Sequence, residues 1–501
     1  MKVLSGFFIV SLISVTVNCN EPLEAAVKNI FKLLDQVPPK GTPFPRIPGP
    51  QPNDEVCIVG AGPSGIHMAQ SLKNKGYKKL TIYEKTNRVG GKSYDINYHG
   101  VAQPQGTVFL TPSYFDTVVP LAKQYGVGDL MESPAPNFWM TNSSLDPRNK
   151  LTGPEFIFGS VQQITKEKSL QKNVALLLDG ITRYLQLYKD LFGSFQGALM
   201  RRPSSDVLHR ISGTFLEFLE REDLLVVAPV VSLTITSFGY GQLDQISAVY
   251  GLIWNEPRLM VAAVLQAAGK AKDPFKAYFF KNGFELIWKT IAEVEELDIH
   301  FNIDLYSVKR TSGNVILKFW KGSYLIEKVC NFLIWTAPMS TLLRTLSDAS
   351  HQEYSILGSL KPTIFTANLV NMKNDVRNGP YTKHFGTFTA RVDHGVTSEV
   401  NLRGMLIPNI QTDKEVQNKY DEENEDEKTA YVVQLGEDYS NEKELNAALI
   451  EHYTKGFNAS DIEILNTISW SYFPKWNPEE ASKGRHWDVF EMQVLNVKIM
   501  I

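Results

Sequence analysis

Val56-Cys57-Ile58-Val59-Gly60-Ala61-Gly62-Pro63-Ser64-Gly65 is an apolar run that breaks into glycines at 60, 62 and 65. A short run without polar alternation suits a strand buried on both faces. Beyond it Ile66, Ala69 and Leu72 recur at helical spacing, and Gly76 ends the pattern. Residues 79–83 form a second strand-like run that closes on Glu84 and Lys85. The sequence therefore predicts a β-α-β unit with Gly-x-Gly-x-x-Gly at its first turn. Gly60 permits the tight turn, Gly62 lets the backbone approach a pyrophosphate, and Gly65 lets the helix pack closely on the strand. Ala61, Pro63 and Ser64 complete the turn, where the helix N-terminus offers free N–H groups and a positive dipole end to phosphate. Glu84 can accept hydrogen bonds from ribose hydroxyls and would repel a 2′-phosphate, which disfavours NADP. NAD and FAD both satisfy these residues.

The 501 residues exceed what one core accommodates, so two domains are expected. Hydrophobic residues at 43% and charged residues at 21% exclude a mostly disordered chain. A net charge of −3 without a Lys/Arg run points to no nucleic acid or anionic membrane as partner. Lys2, the apolar stretch 3–17 and the residues up to Cys19 read as a signal peptide over 1–19. The mature chain is then expected to be secreted, with no integral membrane span. Asn142-Ser143-Ser144 and Asn458-Ala459-Ser460 are glycosylation acceptors that fit this route. Cys57 and Cys330, left once Cys19 departs, are expected as buried, unpaired thiols. Neither Cys-x-x-Cys nor His-Glu-x-x-His occurs, so no metal site is expected.

A short helix at 23–34 and a Pro-rich linker at 38–52 occupy the segment 20–53. From about 112 to 270 the pattern is mostly helical, clearest at 115–124, 170–191, 215–220 and 246–254. A helix is expected over 283–296 with Phe284, Ile287, Ile291 and Val294 on one face, then a short strand at 299–303. Residues 306–310, 315–320 and 324–329 read as a β-meander, and 332–336 as a buried strand ending at Pro338. Further strands are expected at 363–370, 386–392 and 431–435, and the acidic stretch 413–428 as a solvated loop.

Arg88-Val89-Gly90-Gly91, directly after Glu84, resembles the second signature of the flavin-containing amine oxidase superfamily, whose members bind FAD. The resemblance implies that this turn lies against the FAD phosphates and the flavin edge. Arg88 would supply charge, and Gly90 and Gly91 would allow close backbone approach. Lys92 stands where members often carry Arg, which keeps the charge and loses the bidentate fork. Gln105-Gly106-Thr107 resembles the turn that lines the flavin ring, and 305–308, starting at Leu305, the strand whose backbone contacts adenine. Ile334-Trp335-Thr336-Ala337-Pro338 resembles the strand and proline that close the cofactor domain, and Trp470-Ser471-Tyr472-Phe473-Pro474 a late aromatic segment. With Gly91-Lys92, the pattern is most similar to a branch containing FAD-dependent polyenoic fatty acid isomerases. The implied fold class is α/β: a Rossmann-like FAD-binding domain of the two-dinucleotide-binding (amine oxidase) type with an inserted α+β substrate domain. The first would comprise 54–111, 275–345 and 461–501, the second 112–274 and 346–460.

Family members continue past the position of Gln493 into a Gly-containing strand and a helix facing the flavin ribityl and pyrophosphate. Here 494–501 hold no glycine, so that part of the cradle is expected to be missing and FAD to be held weakly. The resemblance implies hydride transfer from a substrate C–H to the flavin, which does the chemistry. An oxidase acting on a small-molecule amine then passes the electrons to oxygen. An isomerase of unsaturated fatty acids returns the hydride to the same substrate. A non-catalytic binding protein on this fold is the third alternative. No side chain is assigned as catalytic. Lys281 and Lys289 are expected at the surface, His67 in a packing or surface role, and Tyr472, Phe473 and Trp476 in an aromatic wall or the ordinary core.

Overall fold

The computed structural model describes residues 38–43, 49–98, 101–108, 110, 113–132, 151, 153–193, 201–236, 239–257, 260, 278–373, 385–386, 390–391, 397–398, 405–408, 429–435, 442–457, 460–495 and 499–500. The expected signal peptide, the helix at 23–34, both sequon asparagines and the acidic stretch 413–428 lie outside these residues.

The apolar run before the glycines is strand β1 (Val56–Val59), and helix α1 (Pro63–Asn74) and strand β2 (Leu80–Tyr83) complete the unit read from the sequence. β1 lies parallel to β2 on one side, Val56 opposite Leu80, and parallel to a second strand, Phe332–Trp335, on the other, Val56 opposite Phe332. The full sheet has five parallel-paired strands, with Ile299–His300 beyond β2 and Ile499–Met500 beyond Phe332–Trp335. Side chains of β1 alternate between two layers. Val56 and Ile58 pack with Ile66 and Ala69 of α1 and with Ile287 and Ile291 of helix α2 (Glu285–Val294). Cys57 and Val59 face the antiparallel meander of Asp304–Arg310, Val315–Lys321 and Tyr324–Cys330, whose Val308, Leu317 and Phe319 are buried. Burial on both faces is why the run carries no polar alternation.

The largest apolar core belongs to the helical region. Its long helix Leu170–Phe192 is capped by Ser169 and buries Tyr184 and Tyr188, which pack with Phe215 and Phe218. Beside it an antiparallel sheet is built on two long strands, Lys361–Lys373 and β3 (Ser460–Lys475), with Thr429–Leu435, Met405–Pro408 and Phe385–Gly386 following in that order beyond Lys361–Lys373. Among the described residues no helix is long and apolar enough to cross a membrane, and no cluster of acids, histidines and cysteines could hold a metal ion.

Two expectations change. Cys57 and Cys330 are not free thiols; they form a disulfide between β1 and the last strand of the meander, with Cα atoms 5.9 Å apart. The two side chains meet because both point into the layer between sheet and meander. Val294 is 64% exposed, and Trp288 takes its place on the buried face of α2. Of the expected strand at 386–392, Gly386, Ala390 and Arg391 are strand, and 387–389 and 392 lie outside the described residues. Val119 and Ala122 pack with the cofactor-side core, whereas Trp476, Ala481, Trp487 and Met492 pack with the helical core. The strand Ile499–Met500 joins the parallel sheet and β3 joins the antiparallel one. The end of the chain, read as lacking part of the cradle, thus contributes a strand beside it.

Candidate cofactor site

The three glycines of the first turn have different reasons to be glycine. Gly60 has φ +105°, and a Cβ there would come within 2.7 Å of Thr336 Oγ1. A Cβ on Gly65 would overlap the Gly60 carbonyl oxygen, so the close approach of α1 to β1 needs this residue bare. Gly62 differs. Its φ of −75° and ψ of −179° suit any residue, and a Cβ would meet only Gly91 Cα at 3.6 Å, an ordinary contact. Among the described residues, internal packing does not require glycine at 62, so the position has room for the close approach of a ligand. Pro63 opens α1 and costs nothing there, because the first-turn N–H groups have no helical acceptor.

The second glycine turn packs on the first. Gly90 N donates to Ala61 O at 2.9 Å, and Gly91, at φ +53°, lies against Gly62. Glu84 closes the ribose side: its carboxylate accepts from Ala61 N and from Thr86 N and Oγ1, each at 2.8 Å. Its two oxygens retain acceptor capacity beyond these bonds. Ile303 N donates to Glu84 O at 2.9 Å, which brings Leu305, partly buried at the start of the meander, beside this end of the sheet. Ser64 and Lys85 are exposed. Thr336 Oγ1 donates to Val59 O at 2.8 Å, fixing the neighbouring strand end.

Arg88 crosses under the second turn. Its guanidinium donates to Gly91 O at 2.5 Å, pairs with Glu285 at 3.3 Å and stacks on the Tyr94 ring at 4.3 Å. Asp95 and Glu285 are joined reciprocally, each carboxylate accepting from the other's backbone N–H, at 3.1 and 2.8 Å. Lys289 also pairs with Glu285, at 3.1 Å. Burial, with the Glu285 charge nearby, pushes Asp95 up to about 7 despite the hydrogen bond it accepts. Lys92 is pushed down by burial alone, and no acid bonds to it among the described residues. Arg88 thus has an acid partner within the protein, which it shares with Lys289, whereas Lys92 has no acid partner among the described residues.

The turn expected to line the flavin sits on this assembly. Thr107 N donates to Lys92 O at 3.1 Å, and a Cβ on Gly106 would overlap that same carbonyl. Trp470 of β3 donates its Nε1–H to Gln105 O at 2.7 Å and lies edge-on to Tyr94. Further along β3, Tyr472 stacks at 5.8 Å on Tyr240, which stacks at 4.4 Å on Trp254; Phe473 packs against Tyr240 at 4.6 Å. Trp476 is in the helical core, its Nε1–H bonded to Ile356 O. Tyr472 and Phe473 thus form an aromatic cluster with Tyr240 and Trp254, two residues that no sequence motif marked. His67, Lys281 and Lys289 are exposed, as expected. Glu285 and Asp95 were also missed; neither belongs to a motif.

A model of the flavin containing amine oxidoreductase family matches residues 63–456. The polyenoic fatty acid isomerase of Ptilota filicina is 28% identical over 217 residues, which are 41% of this chain and 42% of that relative. The tryptophan 2-monooxygenase of Agrobacterium tumefaciens is 32% identical over 88 residues, 17% of this chain and 12% of its own. These alignments span less than half the length of either relative. Among solved structures, a CLA-producing fatty acid isomerase from P. acnes superposes with TM-score 0.63 at 18% identity, covering 90% of this chain and 94% of that one. Wild-type putrescine oxidase bound to putrescine superposes with TM-score 0.57 at 14% identity, covering 86% and 90%. At such identities they show the fold, which is the α/β architecture expected from the sequence.

Proposed function

Because the chain belongs to the flavin-containing amine oxidoreductase family, we propose that it is an FAD-dependent enzyme that takes a hydride from a substrate C–H. The observation that carries the cofactor reading is Gly62, a glycine that neither backbone conformation nor internal packing explains. The FAD supplies the hydride acceptor when bound. Ala61, Gly62 and the N-terminus of α1, with Pro63 and Ser64, receive the diphosphate, and Glu84 the ribose hydroxyls. Lys92 would add positive charge, Leu305 and its neighbours would hold the adenine, and Gly106 and Thr107 would hold the flavin ring. The rings of Tyr240, Trp254, Tyr472 and Phe473 offer an apolar wall that orients a small-molecule substrate and excludes water.

An oxidase of amine-oxidase type is the first form of this reading, with electrons passing to oxygen as peroxide. Redox-neutral double-bond isomerisation of polyunsaturated fatty acids is the second, favoured by the isomerase likeness in both sequence and fold. Purified full-length protein, loaded with FAD, is incubated with amines and with polyunsaturated fatty acids in air. Peroxide from an amine supports the oxidase; a conjugated-diene absorbance without oxygen uptake supports the isomerase. Neither product, from protein that holds flavin, removes both, and failure to take up flavin removes the cofactor reading itself.

We also propose that the chain is secreted through the signal peptide at 1–19 and glycosylated at Asn142 and Asn458. The Cys57–Cys330 disulfide supports this, since such bonds persist in oxidising compartments. A glycosidase-induced mobility shift of protein recovered from the medium tests it; retention of the chain inside the cell overturns it.

A further inference from the structure

We propose that Glu285 and Asp95 are positioning residues for the cofactor: together they hold Arg88, and through it the 88–92 turn, where the space above Gly62 stays open. The proposal rests on the reading that this space takes FAD.

Glu285 lies 197 residues from Arg88 in sequence, outside both glycine motifs, yet it is a nearly buried acid bonded to the guanidinium. It opens helix α2, which packs on α1 through the core they share. Asp95 fixes it there by accepting the N–H of Glu285, an orphan donor at the helix start. Space has been kept for this arrangement: a Cβ on Gly283, at φ +78°, would overlap the Asp95 carboxylate. Arg88 then ties outward to the Gly91 carbonyl, and Gly91 rests on Gly62. The bonded path from α2 thus runs Asp95, Glu285, Arg88, Gly91 and ends against Gly62. Without Glu285 the guanidinium loses its acid partner, and Gly90–Gly91, both at positive φ, lose the brace that selects one conformation. A relaxed turn would close on the space above Gly62 or withdraw from it, and either change weakens the grip on the cofactor.

The test is an FAD titration of flavin-free, full-length protein, followed by quenching of flavin fluorescence, at a temperature where each variant is folded by circular dichroism. Glu285→Ala is expected to weaken binding roughly tenfold or more, the scale of one charge-assisted hydrogen bond. Glu285→Gln is expected to lose less, because its amide oxygen still accepts from Arg88. The visible spectrum of bound flavin is expected to shift in Glu285→Ala. A purely structural role would lower the melting temperature and leave affinity and spectrum unchanged, so a folded Glu285→Ala with the wild-type constant overturns the proposal. If that variant does not fold, wild-type affinity in Asp95→Ala, which removes the acceptor of the Glu285 N–H, overturns it. Wild-type protein that binds no FAD removes the cofactor reading and the proposal together, a result distinct from an unchanged variant.

Discussion

Single atoms distinguish the glycines of the first turn. Gly65→Ala drives a methyl into the Gly60 carbonyl, and the clash is backbone to backbone. It is expected to destabilise the protein by about 1–3 kcal/mol or more. Gly62→Ala meets no such obstacle and is expected to melt within a degree or two of wild type while losing FAD, measured by calorimetry and flavin titration. Loss of folding in Gly62→Ala would show that the glycine serves the chain and not a ligand. Asp95 yields a second expectation. Its folded pKa of about 7 lies above the unfolded value of 3.8, so the folded state binds the extra proton between them. The contribution to stability is complete below about pH 4 and is lost as pH rises through 7, at ~1.4 kcal/mol per unit of displacement. The charges facing it are Glu285, Lys289 and Arg88. Asp95→Asn is therefore expected to melt above wild type at pH 8 and to converge with it toward pH 4.

At the scale of elements, what could be read in advance was what lies close in the chain. β1, α1 and β2 follow from ten residues of pattern and a glycine turn, because each piece is local. Helix α2 shows the limit. Its apolar positions predict a face, but at about 100° per residue Val294 falls on the side of the stripe away from Trp288. Which side is covered is decided by the core around the helix, which buries Trp288 and leaves Val294 exposed. Ile291→Ala is expected to cost roughly 2–4 kcal/mol, and Val294→Gln close to nothing, by chemical denaturation. The partners of Gln105 and Arg88 could not be read because they arrive from Trp470 and Glu285, hundreds of residues away, and long-range pairing leaves no periodic trace. Trp470→Phe removes the donor to Gln105 O and is expected to cost about 1 kcal/mol, with faster amide exchange across 105–107.

On the scale of the whole molecule, a parallel-sheet core and a helical core are both visited by the last residues of the chain. The aromatic end of β3 carries 476–492 into the helical core, and the strand Ile499–Met500 then returns to the parallel sheet. The chain thus passes between the units several times, and the tie between Cys57 and Cys330 spans 273 residues of that path. A loop of this length confers on the order of 5 kcal/mol in the chain-entropy view, so Cys57→Ala with Cys330→Ala is expected to lower the melting temperature by several degrees. The same bond makes a covalent ring that holds most of the helical region. A protease that nicks the ring once opens it without releasing a fragment. Nicked protein should therefore migrate as one species on a non-reducing gel and as two after reduction, and an apparently intact band would conceal cut chains until the thiols are freed.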